Sequence, residues 1–275
     1  MRIRVSYATE FAYDSPAKSL IQVLRLTPRP HEGQNILHWR VRTDADARFV
    51  KGEDALGNLT HTSFIWGPID KLCITVEGEA ETWDTVGVVR GCAERFDPAV
   101  FLRETSLTAA GPLTRDFAES VADGADGRLD ALHRLKDAVA ERLTPSNDPD
   151  GESADSVEAV LQQATAVPRD FAHLFIASAR HLGAPCRYVS GHRAEEDETV
   201  LRHTHHAWAE AYVERLGWVG FDPANATCPD AAYIRVACGL DCLGAAPMRT
   251  NRSGVGAEKL DVKVRVTATQ QQSQS

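Results

Sequence analysis

The apolar residues of this chain change period twice, and that change limits the possible folds more than any other feature. From Met1 to about Thr85 they alternate: RIRVSYATEFAY, SLIQVLRLTP, ILHWRVRT and KLCITVEGEAET read as strands separated by turns of Pro, Gly, Asn and Asp. At FDPAVFLRETSLT the period lengthens, and LTRDFAESVA and LDALHRLKDAVAERL carry apolar residues at the three-to-four spacing of helices. After Gly183 alternation returns in CRYVSGH, HAWAEAYV and GWVGFDP, and the chain closes on KLDVKVRVT. A period of two divides side chains between two faces of a sheet, whereas a period of 3.6 gathers them on one stripe of a helix. Strands, then helices, then antiparallel strands make an α+β layout.

The turn chemistry divides that layout. Residues 1–90 read as an N-terminal antiparallel, sandwich-like β domain, with Trp39 and Trp66 in or beside its core and Gly57-Asn58 as a hairpin turn. Residues 91–150 read as a helical connector belonging to the core, 151–268 as the core itself, and 269–275 as a disordered polar tail. Within the core, LTPSNDPDGESADS is a loop, and Asp155 to Glu158 has the spacing of a capping box ahead of AVLQQA. The next helix begins near Pro168, runs through Ala172, Phe175, Ile176 and Ala179, and stops at Gly183 with Pro185 behind it.

Composition removes several function classes. The 275 residues carry 39 acidic and 30 basic side chains, a net charge of −9 with no basic block, which argues against a nucleic-acid footprint. No apolar run approaches the roughly 18 residues of a membrane-spanning helix. Six scattered cysteines without a CxxC pair, behind an N-terminus with no apolar signal region, point to a thiol-reduced cytoplasmic protein. No cofactor is expected.

Two motifs carry candidate chemistry. THHAWAEAY puts His206 at the start of one strand, and GWVGFDPAN puts Asp222 at the end of the next. In a hairpin the imidazole and carboxylate become neighbours, and an Asp bonded to one ring nitrogen fixes the tautomer and stabilises the imidazolium, as a general base requires. A thiol partner for such a pair sits at a helix N-terminus, where the dipole and free N–H groups favour thiolate.

The ordered motifs YDSP, LRLTPRP, DALGN, RDFAHLFIASARHLGAPCRYVSGH, HHAWAEAYVERLGWVGFDPAN, YIRVACGLD and KLDVKVRV resemble the bacterial members of the transglutaminase-like superfamily over nearly the whole chain. The resemblance implies a papain-like core of helices packed on an antiparallel sheet, behind a bacterial β domain. It also implies a Cys, His, Asp triad acting on amides by acyl transfer to amines or water. The base falls on His206 and its orienting acid on Asp222. The family's cysteine stands immediately before the Asp-Phe-Ala-His run and its leading Gln or Arg; here that residue is Pro168. Proline has no nucleophilic atom and no N–H, yet suits the first turn of a helix, so the fold is kept while the thiol is lost.

These residues imply a transglutaminase-like pseudoenzyme whose cleft binds a peptide, an amide-bearing small molecule or a protein partner. Arg169, Asp170, His205 and Trp208 are its expected binding residues. The rival expectation is a divergent enzyme using the His206/Asp222 pair for amide hydrolysis, acyl transfer or another proton transfer, with a metal on His203, His205 and His206 as one variant. Thr165 is the only hydroxyl among the four residues before Pro168 that could substitute for the nucleophile. Cys186 reads as a small buried hydrophobe, and Cys238 and Cys242 as structural. Asp170 is expected to satisfy amides at its helix start, and His173 to pack at the helix–sheet contact.

Overall fold

A computed structural model describes residues 1–146, 154–163, 165–194 and 206–269. In chain order the elements are β1 (Arg2–Thr27), β2 (Gln34–Thr43), β3 (Ala47–Glu53), β4 (Leu59–Thr82), β5 (Val88–Val89), α1 (Pro112–Ala122) and α2 (Gly127–Arg142). They continue as β6 (Thr144–Pro145), α3 (Val157–Gln162), β7 (Thr165–Ala166), α4 (Pro168–His181), β8 (Cys186–Arg193), β9 (His206–Val213) and β10 (Gly217–Phe221). The last are β11 (Tyr233–Gly239), β12 (Met248–Ser253) and β13 (Glu258–Thr269). The α+β class follows from this order.

Two antiparallel sheets organise the described residues. The long strands β1 and β4 pair along most of their length; β2 and β13 flank one half of the pair, β3 and β12 the other. Ile3, Val5, Tyr7, Phe11, Leu20 and Leu24 of β1 all turn inward, as the alternation requires. Each such aliphatic side chain contributes about 1.5–3 kcal/mol on burial. The second sheet runs β11-β8-β9-β10-β5. Helix α4 lies on it, packing Ala172, Phe175, Ile176 and Ala179 among Ala207, Ala209 and Ala211 of β9. Alanines on the strand let the helix backbone come close to the sheet.

Several expectations needed revision. The closing run KLDVKVRV, read with the core, instead forms β13 and pairs with β1 from Tyr13↔Glu258 to Arg2↔Thr269. Alternation identifies a strand without naming its neighbour, and the long edge of β1 was available. Strand β13 also runs to Thr269; residues 270–275 of the expected tail lie outside the described residues. Trp39 packs at the core with Nε1 donating to the Leu26 carbonyl at 2.7 Å, but Trp66 is 81% exposed. Its neighbour Ile65 takes the inward phase of β4, which sends Trp66 outward. Helix α3 is capped by Ser156, not Asp155, and Glu158 reaches away to accept hydrogen bonds from Leu113 and Thr114 at the start of α1.

Two side-chain amides join the sheets by imitating a neighbouring strand. Asn58 accepts from the Cys238 N–H and donates to its carbonyl, both at 2.8 Å; Gln34 does the same for Arg235 at 2.8 and 3.0 Å. Gly57, at φ +84°, supplies the left-handed turn that presents Asn58 to β11. Because Asn58 is buried, Asn58→Ala leaves two buried backbone groups unpaired, and the expected cost is about 2–4 kcal/mol, read as a lower urea midpoint. A cost near zero would show that β11 does not need this edge partner.

Candidate active site

Helix α4 starts at one wall of a cleft. Val167 is its N-cap in extended conformation, Pro168 occupies the first turn, and the buried Asp170 accepts the Val167 N–H at 3.2 Å. Asp170 therefore closes the helix start, and Pro168 and Arg169 line the cleft. Thr165 lies in β7, ahead of that start.

The opposite wall carries the pair expected from the hairpin. Strands β9 and β10 pair antiparallel with Phe221 opposite Ala209, which brings Asp222 alongside the start of β9. His206 Nε2 lies 2.6 Å from Asp222 Oδ2, with both residues buried. The same oxygen accepts Asn225 Nδ2 and Tyr233 OH, each at 2.7 Å. Burial alone would raise the Asp222 pKa, but the charge and hydrogen bond of His206, with Tyr233 and Asn225, outweigh it and hold the carboxyl below its ordinary range. Tyr233 shifts the other way: burial, the Asp222 charge and the bond it donates all keep its phenol protonated. The other imidazole nitrogen, Nδ1, is buried with no hydrogen-bond partner among the described residues.

Trp208 stacks on His206 at 6.1 Å between centroids and meets Tyr233 edge-on at 5.5 Å. It lies among Val189, Tyr233 and Cys238, so it supports the ring of His206 and is not part of the cleft lining. The cleft, about 740 Å³, is completed by Tyr188, Ser190 and Cys242 from the core and by Tyr7 and Phe11 of β1. Its far wall comes from β12 and β13, the strands that return to the first sheet.

His203 and His205 lie outside the described residues, as do the acidic residues Glu195, Glu196, Asp197 and Glu198. Cys186 is fully buried, its thiol pushed up to about 12 by burial, and Cys238 is buried as well. Cys242 differs from the expectation of burial: it is half-buried and borders the cleft, although burial and Asp241 push its thiol up to about 11. Its N–H donates to His173 Nε2 at 3.1 Å. Asn225, Tyr233 and Cys242 escaped sequence reasoning. Asn225 had a local signal in its place three residues after Asp222; Tyr233 and Cys242 reach the site only through the sheet and the turn that follows it.

His173 makes the site's framework sensitive to acid. It is buried at the helix–sheet contact against Tyr188, and burial pushes its pKa down to about 4, with Asp241 opposing and Arg169 and Arg180 assisting. The fold therefore holds the neutral ring. Above about pH 6.5 neither state binds the proton; as pH falls below that, the unfolded chain takes it first, and stability declines until about pH 4. The shift corresponds to roughly 3 kcal/mol. Urea unfolding between pH 7 and 4 is expected to show this loss, and His173→Gln to flatten it; an unchanged slope in the variant would remove His173 from the account.

Comparison with known proteins adds the following. The family model for the transglutaminase-like superfamily matches residues 115–223, and that for the bacterial transglutaminase-like N-terminal region matches residues 3–81. An uncharacterized protein of Mycobacterium leprae is 29% identical over 281 residues, covering 97% of this chain and 98% of its own length. One of Mycobacterium tuberculosis is 26% identical over 273 residues, covering 90% and 86%. In structure, a candidate cysteine protease from Cytophaga hutchinsonii superposes with a TM-score of 0.76 at 18% identity, over 98% of this chain and 92% of that one. That likeness extends over both sheets and the helices between them.

Proposed function

Since the chain belongs to the transglutaminase-like superfamily, we propose that it is a member without a nucleophile, one that binds a peptide or amide-bearing partner in the cleft and does not run the thiol reaction. The observation that carries this reading is Pro168 at the first turn of α4, in the cleft that His206 also lines. A thiol reaction needs a sulfur within hydrogen-bond reach of the base, and proline supplies none. The thiol that does border the cleft, Cys242, has a raised pKa and so little thiolate at neutral pH.

A second reading has its own support. His206 and Asp222 are assembled, buried and braced by Tyr233 and Asn225, an arrangement suited to moving a proton at His206 Nδ1. The wild-type protein distinguishes the two. Incubated with iodoacetamide at pH 6 and with a glutamine peptide plus an amine, it is expected to show no His206-dependent cysteine labelling and no turnover. Turnover that needs His206 and survives removal of Cys242 would support the proton-transfer reading. A cysteine whose labelling requires His206 would overturn the first.

A further inference from the structure

The outer face of the first sheet changes character halfway along its strands. Every second residue of β1 and β4 points away from the core, and in the half that holds the start of β1 those positions are mostly polar: Arg4, Ser6 and Glu10 on β1, Thr75 and Glu77 on β4. In the other half they turn apolar. Trp66 is 81% exposed, Ile21 45%, Phe64 37% and, on the neighbouring β3, Val50 44%. The register gathers them, with Ile21 opposite Phe64, Ser19 opposite Trp66, and Arg48 and Val50 opposite Phe64 and Thr62. Leu20, Leu24 and Ile65, one residue out of phase, already fill the inner face. The outer patch is therefore surplus to the core, and such patches mark contacts with something else.

Charge says what that is. Two exposed arginines frame the patch, Arg48 at the β3 edge and Arg249 at the β12 edge opposite Val23. The other outward positions in these rows are Ser19, Ser253, Asn251 and Thr62, so no acidic side chain stands among them. Acids begin at the margins, with Asp46 in the turn ahead of β3 and Asp54 paired to Arg25 at 2.8 Å. In a chain of net charge −9 this is a local inversion of sign, and it fits an anionic partner.

A second copy of the chain fits poorly. Stacked face to face about a two-fold axis across the strands, through the centre of the patch, Arg48 meets Arg48; about an axis along the strands, Arg48 comes beside Arg249. Four strands and three outward rows also cover only on the order of 400 Å², about half of the roughly 800 Å² that each partner of a stable dimer buries. Trp66 projects from its strand, and a protein would need a pocket to receive it. The head-group layer of a bilayer receives aromatic and aliphatic side chains without one, and it offers phosphates to both arginines. Ile21 and Val50 gain from that layer, whereas aliphatic side chains give nothing to the stacking of bases.

We propose that this face docks on a bilayer surface rich in anionic phospholipid. Trp66, Phe64, Ile21 and Val50 enter the head-group layer, and Arg48 and Arg249 meet the phosphates. The proposal is independent of the reading of the cleft, which lies against the other face of the sheet.

Co-sedimentation of the full chain with phosphatidylcholine vesicles containing about one-third phosphatidylglycerol is expected to show binding that weakens as salt rises, and little binding to phosphatidylcholine alone. Trp66→Ala is expected to weaken binding about tenfold, and Arg48→Glu combined with Arg249→Glu at least about thirtyfold. All three residues are exposed, so the variants keep the fold. Trp83→Ala serves as the control: Trp83 is 50% exposed just beyond the far end of β4, and its variant is expected to bind as the wild type does. Undiminished binding by Trp66→Ala, an equal loss in Trp83→Ala, equal affinity for uncharged vesicles, or no binding to either vesicle overturns the proposal. So does capture by poly-glutamate or a single-stranded oligonucleotide where vesicles fail, which would assign the face to an acidic protein or to nucleic acid.

Discussion

Pro168→Cys, made together with Cys242→Ser so that only one thiol borders the cleft, is expected to alkylate with iodoacetamide at pH 6 about tenfold faster than a free cysteine. The magnitude follows from two opposed effects. A thiol beside an imidazolium and a helix N-terminus titrates near pH 6 instead of about 8.5, which raises the thiolate fraction roughly a hundredfold; the weaker nucleophilicity of that thiolate returns about a factor of ten. The pair needed for this is already in place, because His206 is oriented by Asp222 at 2.6 Å and its Nδ1 has no competing partner among the described residues. Cysteine also restores the backbone N–H that proline lacks, a potential donor to an oxyanion. His206→Ala in the same background is expected to return the rate to that of free cysteine. If the rate stays high without His206, the cleft is not an intact thiol site short of one atom. The substitution costs stability too, about 0.4–1 kcal/mol, since proline pre-sets the backbone angle that the first turn requires.

Glu210→Ala is expected to cost about 3–5 kcal/mol of stability. Glu210 is fully buried on β9, four residues beyond His206, and accepts Arg187 Nε at 2.6 Å on one oxygen and Arg235 Nε at 2.8 Å on the other. Arg187 is itself buried, stacks over Trp218 at 3.9 Å and grips Glu94 through its terminal nitrogens at 2.9 to 3.1 Å. Removing the carboxylate takes from Arg235 the carboxylate it bonds and leaves Arg187 with Glu94 alone, and a buried charge that loses its compensation costs far more than the pair contributes. Burial would raise the Glu210 pKa, but Arg235 and Arg187 outweigh it and push it down to about 2. Because the folded value is depressed, this stabilisation is complete above the ordinary carboxylate range near pH 4.5 and is lost as pH falls through about 2. It therefore fails at lower pH than the His173 contribution, and the two separate in a pH series of urea midpoints. A loss under about 1 kcal/mol in Glu210→Ala would mean that water reaches the network as it reaches a surface pair.

The elements and the site were legible to different degrees. Strands, helices and the α4 boundaries at Pro168 and Gly183 could be read because their causes are local: side-chain period, a pre-set φ and a left-handed stop at φ +76° all act within a few residues. The His206–Asp222 pair was legible for the same reason, since a short hairpin closes it. Glu158 shows where this ends. Its spacing from Asp155 suits a cap on its own helix, yet in the packed molecule it caps α1, 44 residues away, because the first-turn amides of α1 lie within its reach.

The amino-acid sequence by itself determined that this protein has an α+β frame, a His–Asp pair on adjacent strands and no thiol at the start of α4, since each depends on covalent identity or on neighbours along the chain. Only the tertiary structure decided that Tyr233 and Asn225 converge on Asp222, that Cys242 borders the cleft and Trp208 does not, and that β12 and β13 leave the core to form the cleft's far wall. The physical reason is that alternation says which residues share a face of a strand and nothing about which strand lies beside it. That choice is made by the burial of both sheets together.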